Sequence, residues 1–391
     1  MSTGDGMDEL KEKILRSVDA RAEEQLGFLM DLCDRNSYTY NKRGSDRVAG
    51  MIAGHLEKLL PSHQVIRQND TGNHHVLKNK PQSHAVYLVG HLDTVFPPDH
   101  LFQRCSLDGD RLCGPGTADM KGGLAVLVYA LKALDSVDFI DSMSIAFLLN
   151  ADEETGSPTS QGMFKAERKN ALACLAAECA GPNGEVVVSR NGKMGARLDC
   201  YGEGRHVGEG THEKTSAILE MTHKIIELES LNAILPGVSV NVGKIEGGLG
   251  PTTVPEHASA LVDVRWEDEQ HRAVLQGEID KRIAIPSKPG CWAEFHVLNA
   301  RPAMPLHEGT RTLYEQLRTV GSLLNVDIPS EHRRGSSDAN FFGVAGIPTL
   351  DGLGPSGGKD HTPDEYIEVP SLKQRTALVA LLLVDLARIY F

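Results

Sequence analysis

The chain has 391 residues, 40% hydrophobic and 24% charged, a composition that suits two ordinary globular domains or one large domain with an insertion. A formal net charge of −13, with no basic patch interleaved with aromatics, argues against nucleic acid and anionic membrane surfaces as partners. Seven scattered cysteines without a CxxC pair exclude a disulfide framework and lead us to expect reduced thiols and a cytoplasmic location. The polar start MSTGDGMDELKEKIL lacks the basic and apolar regions of a signal peptide, and the longest apolar run, near Ala377–Val384, is too short to span a bilayer.

Taken in order, residues 8–60 read as helical, with Ser45-Asp46 as the expected cap before RVAGMIAGHLEKLL. Ala85–Gly90 reads as a buried strand, Lys121–Asp135 as a helix, and Met143–Asn150 and Ala171–Glu178 as further strands. Apolar strands alternating with helices predict an α/β layered sheet. The pattern changes near residue 190. Strands are expected at Ala196–Tyr201, Val238–Ile245, His257–Trp266 and Trp292–Leu298, with helices at Thr215–Leu228 and Glu267–Ile283. That β-α-β-β-α-β order matches a ferredoxin-like unit. A helix at Thr310–Leu324, a short strand at Pro348–Asp351 and a long helix at Ser371–Tyr390 return the chain to α/β character. The expected organisation is therefore one α/β domain, 1–189 plus 302–391, with a smaller α+β domain inserted at 190–301.

Three of these strands end in the same kind of residue. VGHLDTVF places His91 and Asp93 two apart at a strand end, where the acid can orient the ring and leave its other nitrogen for a metal. LLNADEETG ends a strand in Asp152-Glu153-Glu154, and ALACLAAE ends another in Glu178. Adjacent acids repel unless they are solvated or a cation sits among them. In GPGTADMKGG, Asp119 precedes a helix as an N-cap or as a carboxylate bridging two cations, and His361 lies in the Gly-rich GPSGGKDHTPDEY. Carboxyl ends of strands are where open α/β sheets hold their sites, and mixed His and carboxylate ligands suit a co-catalytic zinc site. From pattern alone, a metal hydrolase and coincidental surface acids both remain open.

GHLDTVF, GPGTADMKGG, ADEETGS, Glu178 and GLGPSGGKDHTPDEY follow the order and spacing of the zinc-dependent aminoacylase/carboxypeptidase family. That family includes bacterial glutamate carboxypeptidase, acetylornithine deacetylase and succinyl-diaminopimelate desuccinylase, and the likeness covers nearly the whole chain after about residue 20. The resemblance implies a zinc-exopeptidase-like catalytic domain with a mixed sheet between helices, and an inserted ferredoxin-like lid and dimerisation domain. It implies two Zn²⁺ ions per subunit, with Co²⁺ as an alternative. His91 and Glu178 then match ligands of one metal, Glu154 and His361 ligands of the other, and Asp119 the carboxylate bridging both. Asp93 matches the acid orienting His91, and Glu153 the general base. His206, in GEGRHVG, matches a histidine that reaches a partner's active site and stabilises the oxyanion, so a homodimer through the insert is implied; read alone, His206 is a solvated loop residue.

Arg301, in NARPAMP, resembles the arginine that clamps a substrate carboxylate in glutamate carboxypeptidases, the alternative being a surface arginine before a proline. Two positions depart from the family pattern. Thr252 stands where Asn is common, and Arg205 where a small residue usually precedes the histidine. The implied reaction is hydrolysis of an amide beside a carboxylate in a small peptide or N-acyl amino acid. The glutamate carboxypeptidase branch is nearest, the N-acyl amino acid deacylases are the alternative, and a non-catalytic metal-binding relative is the remote one.

Overall fold

The computed structural model describes residues 5–209 and 214–391. They form two compact units, Met1–Ser189 with Leu306–His332 and Ser337–Phe391, and Arg190–Pro305 with Arg333–Ser336.

The first unit is built on a six-stranded mixed sheet. Its order is Ser62–Ile66, His74–Lys78, Ile145–Asn150, Ala85–His91, Ala171–Ala176, Thr349–Leu350. The last four run parallel, and the first two add an antiparallel edge. AVYLVGH and IAFLLN are buried along their full length, as strands in the middle of an α/β sheet must be. The helices Gly122–Asp135 and Val369–Tyr390 pack on each other and are buried nearly all round. Two glycines bring this layer close to the strand ends. A Cβ on Gly90 would lie 2.6 Å from a methyl of Leu124, and one on Gly123 would lie 1.7 Å from the carbonyl oxygen of Ala177. Only hydrogen at these positions lets the start of the helix meet the ends of the strands, which is where Asp119 and Glu178 sit.

The second unit is a four-stranded antiparallel sheet ordered Val238–Gly247, His257–Trp266, Gly192–Tyr201, Trp292–Arg301, with the helices Ala217–Glu229 and Glu269–Ala284. The chain enters at the third strand in this order and leaves at its neighbouring edge. This is the split β-α-β arrangement expected from the alternating pattern. Apolar residues on one face, including Leu198, Val262, Val264 and Trp266, form the unit's own core. The unit runs on through Pro305 because Arg190 and Met304 pair across its base.

Some local expectations are corrected. Ser45-Asp46 does not cap a helix. The helix starts at Lys42, and the Asn41 side chain accepts the N–H of Gly44. Ser45 is buried in the first turn, and Asp46 instead accepts the N–H of Asn73. The strands Ser62–Ile66 and His74–Lys78, and a small sheet of Ser106–Asp108, Arg111–Cys113, Gly357–Gly358 and Tyr366–Glu368, carry too few apolar residues to show in the periodicity. All seven cysteines are free. Among the described residues no helix is long and apolar enough to cross a membrane.

Candidate metal centre

The site lies in the first unit, at the carboxyl ends of its parallel strands. His91 is the last residue of its strand and is 1% exposed. Its Nδ1 lies 3.0 Å from the main-chain carbonyl of Asp93 and 3.5 Å from that residue's Oδ1. A carbonyl only accepts, so Nδ1 carries the proton and Nε2 faces inward. Asp93 therefore orients the ring chiefly through its backbone. Its fully buried carboxylate does something the sequence did not suggest. It accepts the Thr39 hydroxyl at 2.7 Å and the main-chain N–H groups of Glu153 and Glu154, both at 3.2 Å. The turn carrying two candidate functional acids is thus fixed from behind.

Asp119 is not an N-cap. Its backbone is extended (φ −119°, ψ 94°), and its peptide bond to Met120 is cis. Its Oδ1 lies 2.9 Å from Nε2 of His91, and its Oδ2 lies 3.1 Å from Nε2 of His361. Each histidine has a second acid: Glu178 at 3.7 Å from His91, and Glu154 at 3.1 Å from His361. Ligand atoms of His91, Asp119 and Glu154 all lie within 4.8 Å of one another. Imidazole nitrogens and carboxylate oxygens at this spacing fit a divalent cation, and the shared Asp119 fits a pair of them.

The electrostatics point the same way. Burial, with the nearby Asp119 charge, holds the Glu154 carboxyl well above the usual range. Burial likewise pushes Glu178 up to about 7, against the pull of His91. Burial also raises Asp119, but the hydrogen bonds from His361 and His91 outweigh it and leave the group well below its ordinary value. His361, hydrogen-bonded to Asp119 and Glu154, is pushed up to about 11. The carboxylates draw positive charge into the site, and bound cations would supply it.

Two further acids were not singled out in the sequence. Glu365 is buried, and its carboxylate accepts the N–H groups of Gly116, Ala118 and Asp119 at 2.9–3.0 Å. Burial pushes it up to about 7. Nothing in HTPDEY separates it from the neighbouring Asp364, which is exposed. Asp351 is fully buried and accepts the N–H of Glu178 at 3.3 Å and the hydroxyl of Ser337 at 2.6 Å. Here the signal was available, since Pro348–Asp351 is another apolar strand ending in an acid.

The remaining candidates lie in the second unit. His206 is exposed in a two-residue strand paired with Thr253-Val254, and the N–H of Val207 donates to the carbonyl of Thr252 at 2.9 Å. His206 and Thr252 are therefore neighbours. Arg301, the last residue of its strand, is 6% exposed rather than a surface residue, and its Nη1 donates to the carbonyl of Ser336 at 3.4 Å.

Histidines and carboxylates gathered at the carboxyl ends of a parallel sheet suit a metal-dependent hydrolase. The comparisons agree: the profile of peptidase family M20/M25/M40 matches residues 87–385, and the chain belongs to that family. It is 26% identical over 306 residues to carboxypeptidase G2 of Pseudomonas sp. (strain RS-16), covering 76% of this chain and 73% of the relative. It is 27% identical over 337 residues to the succinyl-diaminopimelate desuccinylase of Pseudomonas fluorescens, covering 80% and 85% respectively. The crystal structure of the aminopeptidase PepT from Bacillus cereus shares the fold, with a TM-score of 0.73 at 21% identity over 94% of this chain and 99% of that one.

Proposed function

We propose that the protein is a di-zinc exopeptidase of the glutamate carboxypeptidase type, releasing a C-terminal amino acid, preferentially glutamate, from a small peptide or N-acyl compound. The observation that carries this reading is Asp119, whose two oxygens face two different histidines, each with its own second acid. His91, Asp119 and Glu178 would hold one Zn²⁺, and Asp119, Glu154 and His361 the other, with Co²⁺ as an alternative. Ions bound there would supply the charge that polarises the amide carbonyl and brings the pKa of water towards neutrality.

The chain's own residues then move the proton. Glu153 takes a proton from the attacking water and returns it to the leaving amine, a role supported by its place beside Glu154 on a turn whose backbone is held by Asp93. His206 donates to the developing oxyanion. Arg301 clamps the carboxylate of the departing residue, with Thr252 supplying a hydroxyl in place of an amide. The inserted domain at 190–301 acts as lid and homodimer surface, which brings His206 to the chemistry, and the enzyme works in the cytoplasm.

The likeness to carboxypeptidase G2 and the buried Arg301 favour this branch. The likeness to a desuccinylase supports a second reading, an N-acyl amino acid deacylase, in which the recognised carboxylate lies on the other side of the amide. A release assay on the metal-loaded protein separates them. One panel holds N-acyl amino acids with varied C-terminal residues, the other N-acetyl and N-succinyl diamino acids. Faster cleavage of the first, with a glutamate preference that Arg301→Ala removes, is expected. Preference for the second moves the protein to the deacylases.

A further inference from the structure

A polar cavity with a volume of about 460 Å³ lies in the first unit. Arg35, Arg43, Arg47 and Arg104 line it, together with Asn36 and Asn41. One acid, Asp34, also faces it, and that acid is engaged at 2.9 Å by Arg104. Among the described residues the guanidinium groups of Arg35, Arg43 and Arg47 meet no acid. Four guanidinium groups against one carboxylate make a strongly positive pocket in a chain whose net charge is −13.

The local sequence makes this concentration unfavourable without a ligand. Arg43 and Arg47 stand four apart on the helix Lys42–Leu56, so two like charges share one face. Arg43 also sits in its first turn, which holds no acid and where the helix dipole disfavours cations. Both costs are relieved by an anion between the arginines. The lining residues are polar or glycine, which argues against an apolar ligand, and the volume suits a small molecule. Arginine forks match phosphate oxygens two at a time.

We propose that this cavity binds a multiply charged oxyanion of the phosphate class, inorganic or as a phosphate ester. The segment that lines it also supports the metal centre. Thr39 donates to Oδ2 of Asp93 at 2.7 Å, and the carbonyl of Arg35 accepts Nζ of Lys121 at 2.9 Å. A filled pocket therefore stiffens a stretch that holds Asp93 on one side and the turn after Asp119 on the other.

The test is calorimetric titration of the metal-loaded protein with inorganic phosphate and with tripolyphosphate, at matched low ionic strength. Wild type is compared with Arg43→Glu/Arg47→Glu and with Arg43→Lys/Arg47→Lys. Both residues are exposed, and melting curves confirm that each variant is folded. One site per chain is expected, weakened at least about tenfold by charge reversal and less by lysine. Amide exchange should slow across residues 34–47 when the anion binds. Absence of binding to wild type, or equal binding by the charge-reversed variant, overturns the proposal. So does exchange protection confined to 119–122, 153–156 and 359–361, which would place the anion at the metals instead.

Discussion

The carboxylate of Glu365 accepts the main-chain N–H of Asp119 at 3.0 Å, and both residues lie off the sheet. The same relation recurs around the centre. Asp93 accepts the N–H groups of Glu153 and Glu154, and Asp351 accepts that of Glu178. Each turn that presents a candidate acid is thus held by a second, buried acid. Each of these side chains accepts main-chain N–H groups remote in sequence, so the turns are tied to the rest of the unit as well as to their own backbone. Rigid placement matters because ligand atoms must keep metal distances without help from strand pairing.

Glu365→Ala should therefore act on both stability and metal binding. It strips the acceptor from the N–H groups of Gly116, Ala118 and Asp119. The expected loss is about 2–5 kcal/mol of stability and about 10–100-fold in metal affinity. Glu365→Gln, which keeps one acceptor oxygen, should lose less of each. Urea unfolding of the metal-free protein reads the first effect and competition with a chromogenic chelator the second.

Glu153→Gln separates catalysis from architecture. The backbone N–H of residue 153 still reaches Asp93, so the turn and its metals should stay in place. A carboxamide cannot carry the proton, and kcat should fall by about 10²–10⁴. Elemental analysis should find unchanged metal content in the same preparation. Loss of metal alongside activity would show that Glu153 is a ligand.

Removing the metal tests the reading of the centre as a whole. Extraction with a chelator should abolish turnover, and Zn²⁺ or Co²⁺ should restore it. The metal-free protein should melt earlier, because four carboxylates, those of Asp119, Glu153, Glu154 and Glu178, then share a site with two histidines and no cation. Full activity after verified extraction would mean that the histidines and acids serve another purpose.

Much of this was legible in the chain. The strands Ala85–His91, Ile145–Asn150 and Ala171–Ala176 announced themselves as apolar runs, because strands buried on both faces carry no polar alternation to blur them. Their terminal His91, Glu153, Glu154 and Glu178 stood out because charge rarely follows such runs. Asp119 and His361 stood out as candidates in Gly-rich segments, but only the resemblance gave them roles, since a turn or loop has no period to read. Glu365 was illegible for the same reason. Its role comes from reaching main-chain groups that are remote in sequence, and no spacing encodes that. The cap at Asn41 rather than Ser45 shows a further limit, because both residue types cap well and Asp46 is engaged instead by the N–H of Asn73, remote in sequence.

A last prediction concerns acid stability and lies away from the metals. His75, in the strand His74–Lys78 next to the edge strand Ser62–Ile66, is 7% exposed, and its Nδ1 lies 2.8 Å from Nε2 of His63. Burial, reinforced by the neighbouring His63, pushes its pKa down from 6.5 to about 4, against the partial opposition of Asp46. Above pH 6.5 the ring is neutral whether the chain is folded or not, and the depressed pKa costs nothing. Between pH 6.5 and about 4 only the unfolded chain takes the proton, so stability drains away as pH falls through this window. The full effect is up to about 3 kcal/mol. His75→Gln removes the titration while keeping a polar group. Urea unfolding at stepped pH should therefore show a shallower loss for the variant than for wild type. Parallel slopes would mean that His75 already takes up its proton in the folded chain. The strand pairs directly with Ile145–Asn150, which leads into the Glu153-Glu154 turn, so the same experiment repeated on metal-loaded protein reports how far acid loosening of this edge reaches the centre.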